Sequence, residues 1–378
     1  MRGLLFIGAL VVAAVGALGL ILGFIFDPAR TVVSSLIALT FATSTSVGAL
    51  ALLMVGYVVS AHWLQRLRPL TEALALLTPL FGLLLIPLFI GLDEVYLWAA
   101  PEQAHLTHHE LDLLEHKAAW LNEGAFIGRG IAYVVIWTAL TAVLFVFRKR
   151  PRSRAAQWTS GLGLPIISLA FTFAAFDWQM SLNPFWVSTM FGVYILAGGF
   201  LCCLATLALL SPLTIRAGVM PSSLNASSYP LGRLLLAFVI FWAYIAFMQL
   251  LIIWSANLPE EVVFYERRIE GGWQVVTGIL VVAHFFLPFF VLLFRYVKLV
   301  PAWLSAIGGW LVFMHAYDVV WITLPSLRAP ASSFRAQDLA GLALVSGITV
   351  AFTLLYARRE RHRLGGVDLV EEGTHGQR

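Results

Sequence analysis

The sequence predicts an all-α integral membrane protein of about ten transmembrane helices, and three observations carry that expectation. Of 378 residues, 60% are hydrophobic and 12% are charged, against roughly 45–50% and about 25% in soluble domains. The mean hydropathy is +0.87. The apolar runs are continuous and rich in Leu, Ala, Val and Phe, whereas barrel strands are short and alternating, so helices are the solution that satisfies the backbone inside lipid. At roughly 20 residues per crossing, the length holds about ten spans with short loops and no soluble domain of normal size. Residues 1–364 read as a single polytopic membrane domain, and 365–378 as a polar, disordered cytoplasmic tail. Nucleic-acid binding is excluded, because no basic run is backed by a soluble fold that presents it.

In order, the predicted spans cover roughly 3–26, 33–60, 70–91, 125–147, 160–178, 188–212, 232–256, 274–297, 301–324 and 338–357. The first is longer than the apolar core of a signal peptide and no small-x-small cleavage site follows it cleanly, so it reads as a retained helix. Cytoplasmic loops collect Lys and Arg. With the N-terminus inside, 17 of the 24 basic residues fall on the cytoplasmic side: Arg2, Arg66, Arg68, Arg148, Lys149, Arg150, Arg152, Arg154, Arg216, Arg233, Arg295, Lys298, Arg358, Arg359, Arg361, Arg363 and Arg378. Arg30, Lys117, Arg129, Arg267, Arg268, Arg328 and Arg335 lie outside, with 13 of the 20 acids against five inside. Both termini are therefore expected in the cytoplasm, with two long acidic segments outside at about 92–124 and 257–273.

The two remaining acids, Asp177 and Asp318, fall within spans. A charge inside the bilayer costs a few kcal/mol even on lenient insertion scales, so a chain that keeps one usually has a use for it. His284 and His315 join them, about ten and nine residues deep, or roughly 15 Å at 1.5 Å per residue. Asp318 is about one turn nearer the outer surface than His315 and on the same helical face. All four groups fall in the outer half. Trp178, Trp186, Tyr194, Trp254, Tyr317 and Trp321 are placed to line a flat apolar pocket, with Gln249 and Ser255 adding hydrogen bonds; interfacial aromatic belts supply the ordinary reading of the same rings. Glu260 and Glu261 at the mouth would repel each other and can hold a proton for delivery outside.

Other polar groups carry less. Thr40, Thr43, Ser44, Thr45 and Ser46 in the second span suit a water wire toward the inner side or plain helix packing. Glu72 and Lys298 sit near inner helix ends, from which both can snorkel. His105, His108, His109 and His116 accompany seven acids in the first outer segment, a string that reads as a solvated amphipathic helix before a metal site. The only cysteines, Cys202 and Cys203, are adjacent in an apolar run and cannot supply an iron–sulfur cluster or zinc site; they read as small packing residues.

Several stretches carry a resemblance. Residues 173–199 (FAAFDWQMSLNPFWVSTMFGVYILAGG), 238–261 (FVIFWAYIAFMQLLIIWSANLPEE), 284–295 (HFFLPFFVLLFR) and 315–325 (HAYDVVWITLP) resemble, in order, the F subunit of alternative complex III. That is an NrfD-like membrane subunit of a bacterial quinol:electron-acceptor oxidoreductase. Weaker echoes occur at His62-Trp63 and over 121–133 (LNEGAFIGRGIAY). The resemblance implies ten helices in two four-helix bundles, 2–5 and 6–9, with helices 1 and 10 alongside, in a bacterial cytoplasmic membrane. It implies no redox centre in this chain. Its partners would be a second NrfD-like subunit, an iron–sulfur subunit and c-type cytochromes that hold the clusters and haem, together with membrane lipid and a menaquinone or ubiquinone pool. Carried over by motif, Asp177, Arg129, the Asn257–Glu261 turn, His284 and Asp318 match family positions. The family's acidic, His-containing stretch before helix 7 is replaced here by Ser227, Ser228, Tyr229, Pro230, Leu231, Gly232 and Arg233, which removes the inner acid and imidazole.

The leading expectation is a membrane subunit of a quinol-oxidising respiratory complex. Asp177, His284, His315 and Asp318, with Glu260, Glu261 and Arg129, would form an outer-half proton path or quinone contact. The alternatives are a purely structural scaffold, a di-His b-type cytochrome using His284 and His315, for which Phe285, Phe286 and Tyr317 make the space cramped, and a secondary transporter, for which Pro288 is a break without a counterpart.

Overall fold

A computed structural model describes residues 2–104, 106–150, 153–327 and 333–375, without the side chains of 2, 103–104, 149 and 361–375. His105, Arg152, Arg328 and Arg378 lie outside the described residues, and nothing follows for them. Among the described residues the chain is helical without strands, and ten helices are long and apolar enough to cross a membrane. They are α1 (Gly3–Phe26), α2 (Pro28–Val58), α3 (His62–Ile90), α4 (Glu123–Val146), α5 (Arg154–Leu182), α6 (Phe191–Arg216), α7 (Ser222–Ala256), α8 (Trp273–Leu293), α9 (Pro301–Ser326) and α10 (Asp338–Glu360). This is a multi-pass membrane protein. The backbone of α10 continues as helix to His375, through most of the segment that composition marks as a disordered tail, and 376–378 lie outside the described residues.

Local chemistry sets the helix ends. Asp27 accepts from the Arg30 N–H at 3.1 Å ahead of Pro28, Asn122 from Ala125 at 2.9 Å, and Ser153 from Ala156 at 3.2 Å, each occupying an orphan donor of a first turn. Thr107 and Glu110 form a reciprocal capping box that starts the loop helix His108–Lys117. α3 tightens at Gly82–Leu84, and α8 widens to i→i+5 bonding over Val281–Phe286. Pro288 explains the second irregularity: it lacks the N–H that would bond the carbonyl of His284, so the turn ahead of it re-registers around that histidine.

Helices α2 and α6 form the centre. α2 packs on α3, α5 and α6, while α6 packs on α2, α5, α7 and α9; α1 lies against α10. Small residues let the two central backbones approach. A Cβ on Gly199 would stand 2.4 Å from the Ser44 carbonyl oxygen, and one on Gly48 would stand 2.9 Å from that of Gly199. Gly199→Val is therefore expected to force the α2–α6 crossing apart and to destabilise the protein by about 1–3 kcal/mol or more. Thermal unfolding in detergent measures this, and an unshifted midpoint would contradict the crossing.

The two ends of the bundle differ. One carries the 92–122 and 257–272 segments and is called here the long-loop face. There Arg30 and Asp338 form a buried ion pair, and Arg335 reaches Asp27 at 2.8 Å, tying α10 to the start of α2. At the opposite face Glu72 does not snorkel: it is 7% exposed and accepts from Arg68 at 2.7 Å and from Tyr356 at 2.8 Å. Lys298 is likewise buried, with its stem beside Gly232.

Candidate functional site

The buried carboxylates Asp177 and Asp318 lie at corresponding turns of α5 and α9. Each follows an aromatic residue, Phe176 or Tyr317, and each precedes a proline by seven positions, Pro184 or Pro325. Both helices end toward the long-loop face in a tight turn, Met180–Leu182 and Leu324–Ser326. Their surroundings differ in kind.

Asp177 has no exposed side-chain surface and is saturated with donors. Arg129 of α4 grips it bidentately, Nε to Oδ2 and Nη2 to Oδ1, both at 2.9 Å. Tyr133 donates at 2.7 Å and the Trp120 indole at 2.9 Å. The Arg129 guanidinium also lies 4.0 Å from the centre of the Trp120 ring and donates to its carbonyl. The cluster therefore clamps α4, α5 and the end of the first long loop together. Lys117 adds a bond to the Pro184 carbonyl at 2.6 Å, and partial burial lowers its pKa.

Asp318, 1% exposed, has only neutral donors in contact. Tyr194 of α6 donates to Oδ1 at 2.5 Å and the Trp242 indole of α7 to Oδ2 at 3.1 Å. His284, fully buried, lies against the Trp242 ring with centroids 4.0 Å apart, and neither of its ring nitrogens has a hydrogen-bond partner. His315 pairs through Nε2 with the Ser44 hydroxyl of α2 at 2.9 Å, while its Nδ1 has no partner. The Cβ position of Gly198 is 3.1 Å from the His315 ring and 3.5 Å from Trp242 Cδ1, so absence of a side chain there lets both rings close in on the α6 backbone. Of the four buried groups predicted from sequence, Asp318, His315 and His284 are thus brought together around Trp242, and Asp177 stands in a separate cluster.

Beside Asp318 lies a cavity of about 660 Å³ between α7, α8, the end of α9 and the short helix Pro259–Glu266, within the size range of small-molecule sites. Tyr194 and Trp242, the two residues bound to Asp318, form part of its wall, with Trp254, Trp321 and Gln249. Tyr244, Phe247, Trp254 and Phe286 are exposed on the flank of the molecule, so the cavity faces sideways between α7 and α8. Gln249 is 4% exposed; its Nε2 is 3.4 Å from the Tyr265 hydroxyl and its Oε1 has no partner.

The other predicted aromatic and polar residues stand elsewhere. Trp178 packs on Tyr133 and Trp137 in the Asp177 cluster. Trp186 stacks on Phe264 at 4.2 Å and donates to the Glu261 carbonyl, Tyr317 donates to the Val276 carbonyl, and Ser255 is exposed. Glu260 is exposed and Glu261 half-buried on the short helix Pro259–Glu266. The hydroxyls of Thr40, Thr43, Ser44, Thr45 and Ser46 donate to carbonyls of their own helix three or four residues back. Ser44, Thr40 and Thr45 also reach across to other helices, Thr45 to the Cys202 thiol of α6.

Sequence reasoning missed Gln179, which donates to Thr40 of α2 at 2.6 Å and accepts from Thr323 of α9 at 3.1 Å, linking three helices. It also missed Trp120, Tyr133, Trp242 and Arg268. The shared spacing of aromatic, Asp and Pro at the ends of α5 and α9 was the available signal, because it marks the two carboxylates as counterparts.

The imidazoles do not fit a bis-histidine haem: Trp242 covers the face of His284, and His315 Nε2 is taken by the Ser44 hydroxyl. Among the described residues no group of three or more His, Cys, Asp or Glu side chains is arranged to hold a metal. His116 bonds the Asp112 carbonyl of its own helix, which with the nearby Asp112 carboxylate raises the imidazole pKa. Cys202 and Cys203 are free thiols buried in α6. No protein-family model matches the chain. No curated protein matches it by sequence either.

Proposed function

We propose that the chain is a membrane subunit of a quinol-oxidising respiratory complex of the alternative complex III type, in a bacterial cytoplasmic membrane with both termini inside. The packing of α2–α5 and α6–α9 around the central α2–α6 contact supports the two-bundle, NrfD-like arrangement. In this reading the partner subunits hold the iron–sulfur clusters and c-type haem, and this chain contributes architecture and a proton-accepting carboxyl beside a quinone contact. One observation carries it: a sideways-facing, mostly apolar cavity with a buried carboxyl one hydrogen bond behind its wall. A quinol ring diffusing in lipid meets aromatic walls and, at Gln249 Oε1, a buried acceptor for a ring hydroxyl. Oxidation of a quinol releases two protons with two electrons, and in this reading Tyr194 and Asp318 take up a proton as it leaves the ring.

The test fills the cavity. Ala243 and Ala246 line it, and Ala243→Trp in the assembled complex is expected to abolish quinone co-purifying with this subunit and to lower quinol oxidation. Undiminished quinone content and turnover would remove the cavity from the function.

A scaffold role has its own support in the Asp177 cluster. A carboxylate locked bidentately to Arg129 and saturated with donors suits helix docking better than proton traffic.

A further inference from the structure

The two counterpart carboxylates are served by cations in different ways. Asp177 touches its arginine. Arg268, from the second long loop and packed on the end of α9 beyond Asp318, is 1% exposed, and its hydrogen bonds go elsewhere. Nη1 bonds the Phe264 carbonyl at 2.6 Å, Nη2 bonds the Ile322 carbonyl at 2.6 Å and the Ser326 hydroxyl at 2.9 Å, and Nε bonds the Trp321 carbonyl at 3.2 Å. The guanidinium lies 3.5 Å from the centre of the Phe264 ring and 4.9 Å from that of Trp321. Each contact is to a carbonyl, a hydroxyl or a ring, and none is to a carboxylate.

Trp321 and Ile322 are three and four residues beyond Asp318 on α9, so the carbonyls that hold Arg268 start about one helical turn, roughly 5 Å, beyond Asp318, and the guanidinium sits past them toward the helix end. Burial pushes the Arg268 guanidinium down to about 9, which leaves it charged at neutral pH. A buried cation without a carboxylate in contact is costly to keep, and carbonyls closing a helix end are weak substitutes for one. Asp318 is the carboxylate whose field reaches Arg268. The other ionisable groups around the pair are Tyr194 on α6, His284 on α8, His315 on α9, and Tyr265 and Arg267 of the loop; α7 contributes the neutral Trp242.

We propose that Arg268 is a positioning residue for Asp318: it fixes a positive charge past the next turn of α9, held off from contact by the carbonyls it binds, and so sets how readily the carboxyl gives up and takes back a proton. This rests on the reading that Asp318 carries protons in turnover. Contact would lock the carboxylate, as Arg129 locks Asp177, whereas an offset charge biases the group without capturing it.

Infrared difference spectroscopy of the complex tests the charge without turnover. Asp318→Asn identifies the carboxylic-acid carbonyl band. In Arg268→Gln the pH at which that band is half lost is expected to move to the alkaline side by about one unit, and Arg268→Lys, which keeps the charge, is expected to restore it most of the way. A midpoint unmoved in Arg268→Gln overturns the proposal, as does an equal shift in Arg268→Lys. Should Arg268→Gln fail to assemble, Arg268→His assembled at low pH and titrated upward gives the same comparison, because the imidazole loses its charge within the scan. If Arg268 shifts the band while Asp318→Asn leaves quinol oxidation intact, the electrostatic inference stands and the proton-carrying role of Asp318 fails.

Discussion

Asp318→Asn is expected to lower quinol-oxidation turnover by about 100-fold, the lower range for loss of a positioned acid–base group, while the complex still assembles. The substitution keeps shape and keeps Oδ1 as an acceptor for one of the two donors, Tyr194 or Trp242. The new amide N–H₂ faces the other, and a Tyr194 hydroxyl can rotate to accept from it. The structural penalty is therefore about one hydrogen bond, on the order of 1 kcal/mol, too small to account for a hundredfold loss by unfolding. Asp318→Ala is the harsher contrast: it orphans both buried donors and opens a cavity in a packed helix contact, so assembly and turnover fall together. Turnover and proton release near wild type in an assembled Asp318→Asn complex would take this carboxyl out of the mechanism and leave the scaffold reading.

What the sequence reveals about this molecule divides along physical lines. Spans are legible because lipid imposes one rule on every stretch that crosses it, and each of the ten helices overlaps an apolar run. Their starts are not: α3 begins at His62 and α5 at Arg154, well before the apolar stretches at 70 and 160, because a helix continues past the hydrocarbon into polar turns bearing Arg66, Arg68 and Arg154. His284, His315 and Asp318 announce themselves because an ionisable group in an apolar run is expensive. Their partners do not. Trp242 is an ordinary aromatic residue 76 positions from Asp318, while Tyr194, 124 positions away, is legible only as one pocket-lining ring among several, and Arg268 sits in a segment that reads only as an acidic outer stretch. The same rule that exposes Asp318 also exposes Asp177, and cost alone cannot separate a carboxylate that is locked from one that is not.

Arg129→Met makes that separation measurable. It is expected to destabilise the protein by about 3 kcal/mol, the low end for removing one partner of a buried pair, since Arg129 keeps 19% of its side chain exposed and the lost attraction is partly screened. What remains is a carboxylate with no exposed surface, held only by Tyr133 and Trp120. The Trp120 ring also loses its cation, so the end of the first long loop should open, and limited proteolysis between 106 and 122 should accelerate. Adding Asp177→Asn in the double variant removes the stranded charge and is expected to recover most of the lost stability; two independent contributions that simply add would refute an ion-pair clamp. Asp177→Asn alone discriminates further. With Arg129 still present it strands a cation that can swing toward solvent, a smaller penalty than stranding the carboxylate. A clamp therefore predicts that Asp177→Asn loosens the loop and leaves turnover close to wild type, whereas a proton relay through Asp177 predicts the reverse. The two counterpart carboxylates thus call for opposite results from the same conservative substitution: loss of rate at Asp318 with assembly preserved, and loss of stability at Asp177 with rate preserved.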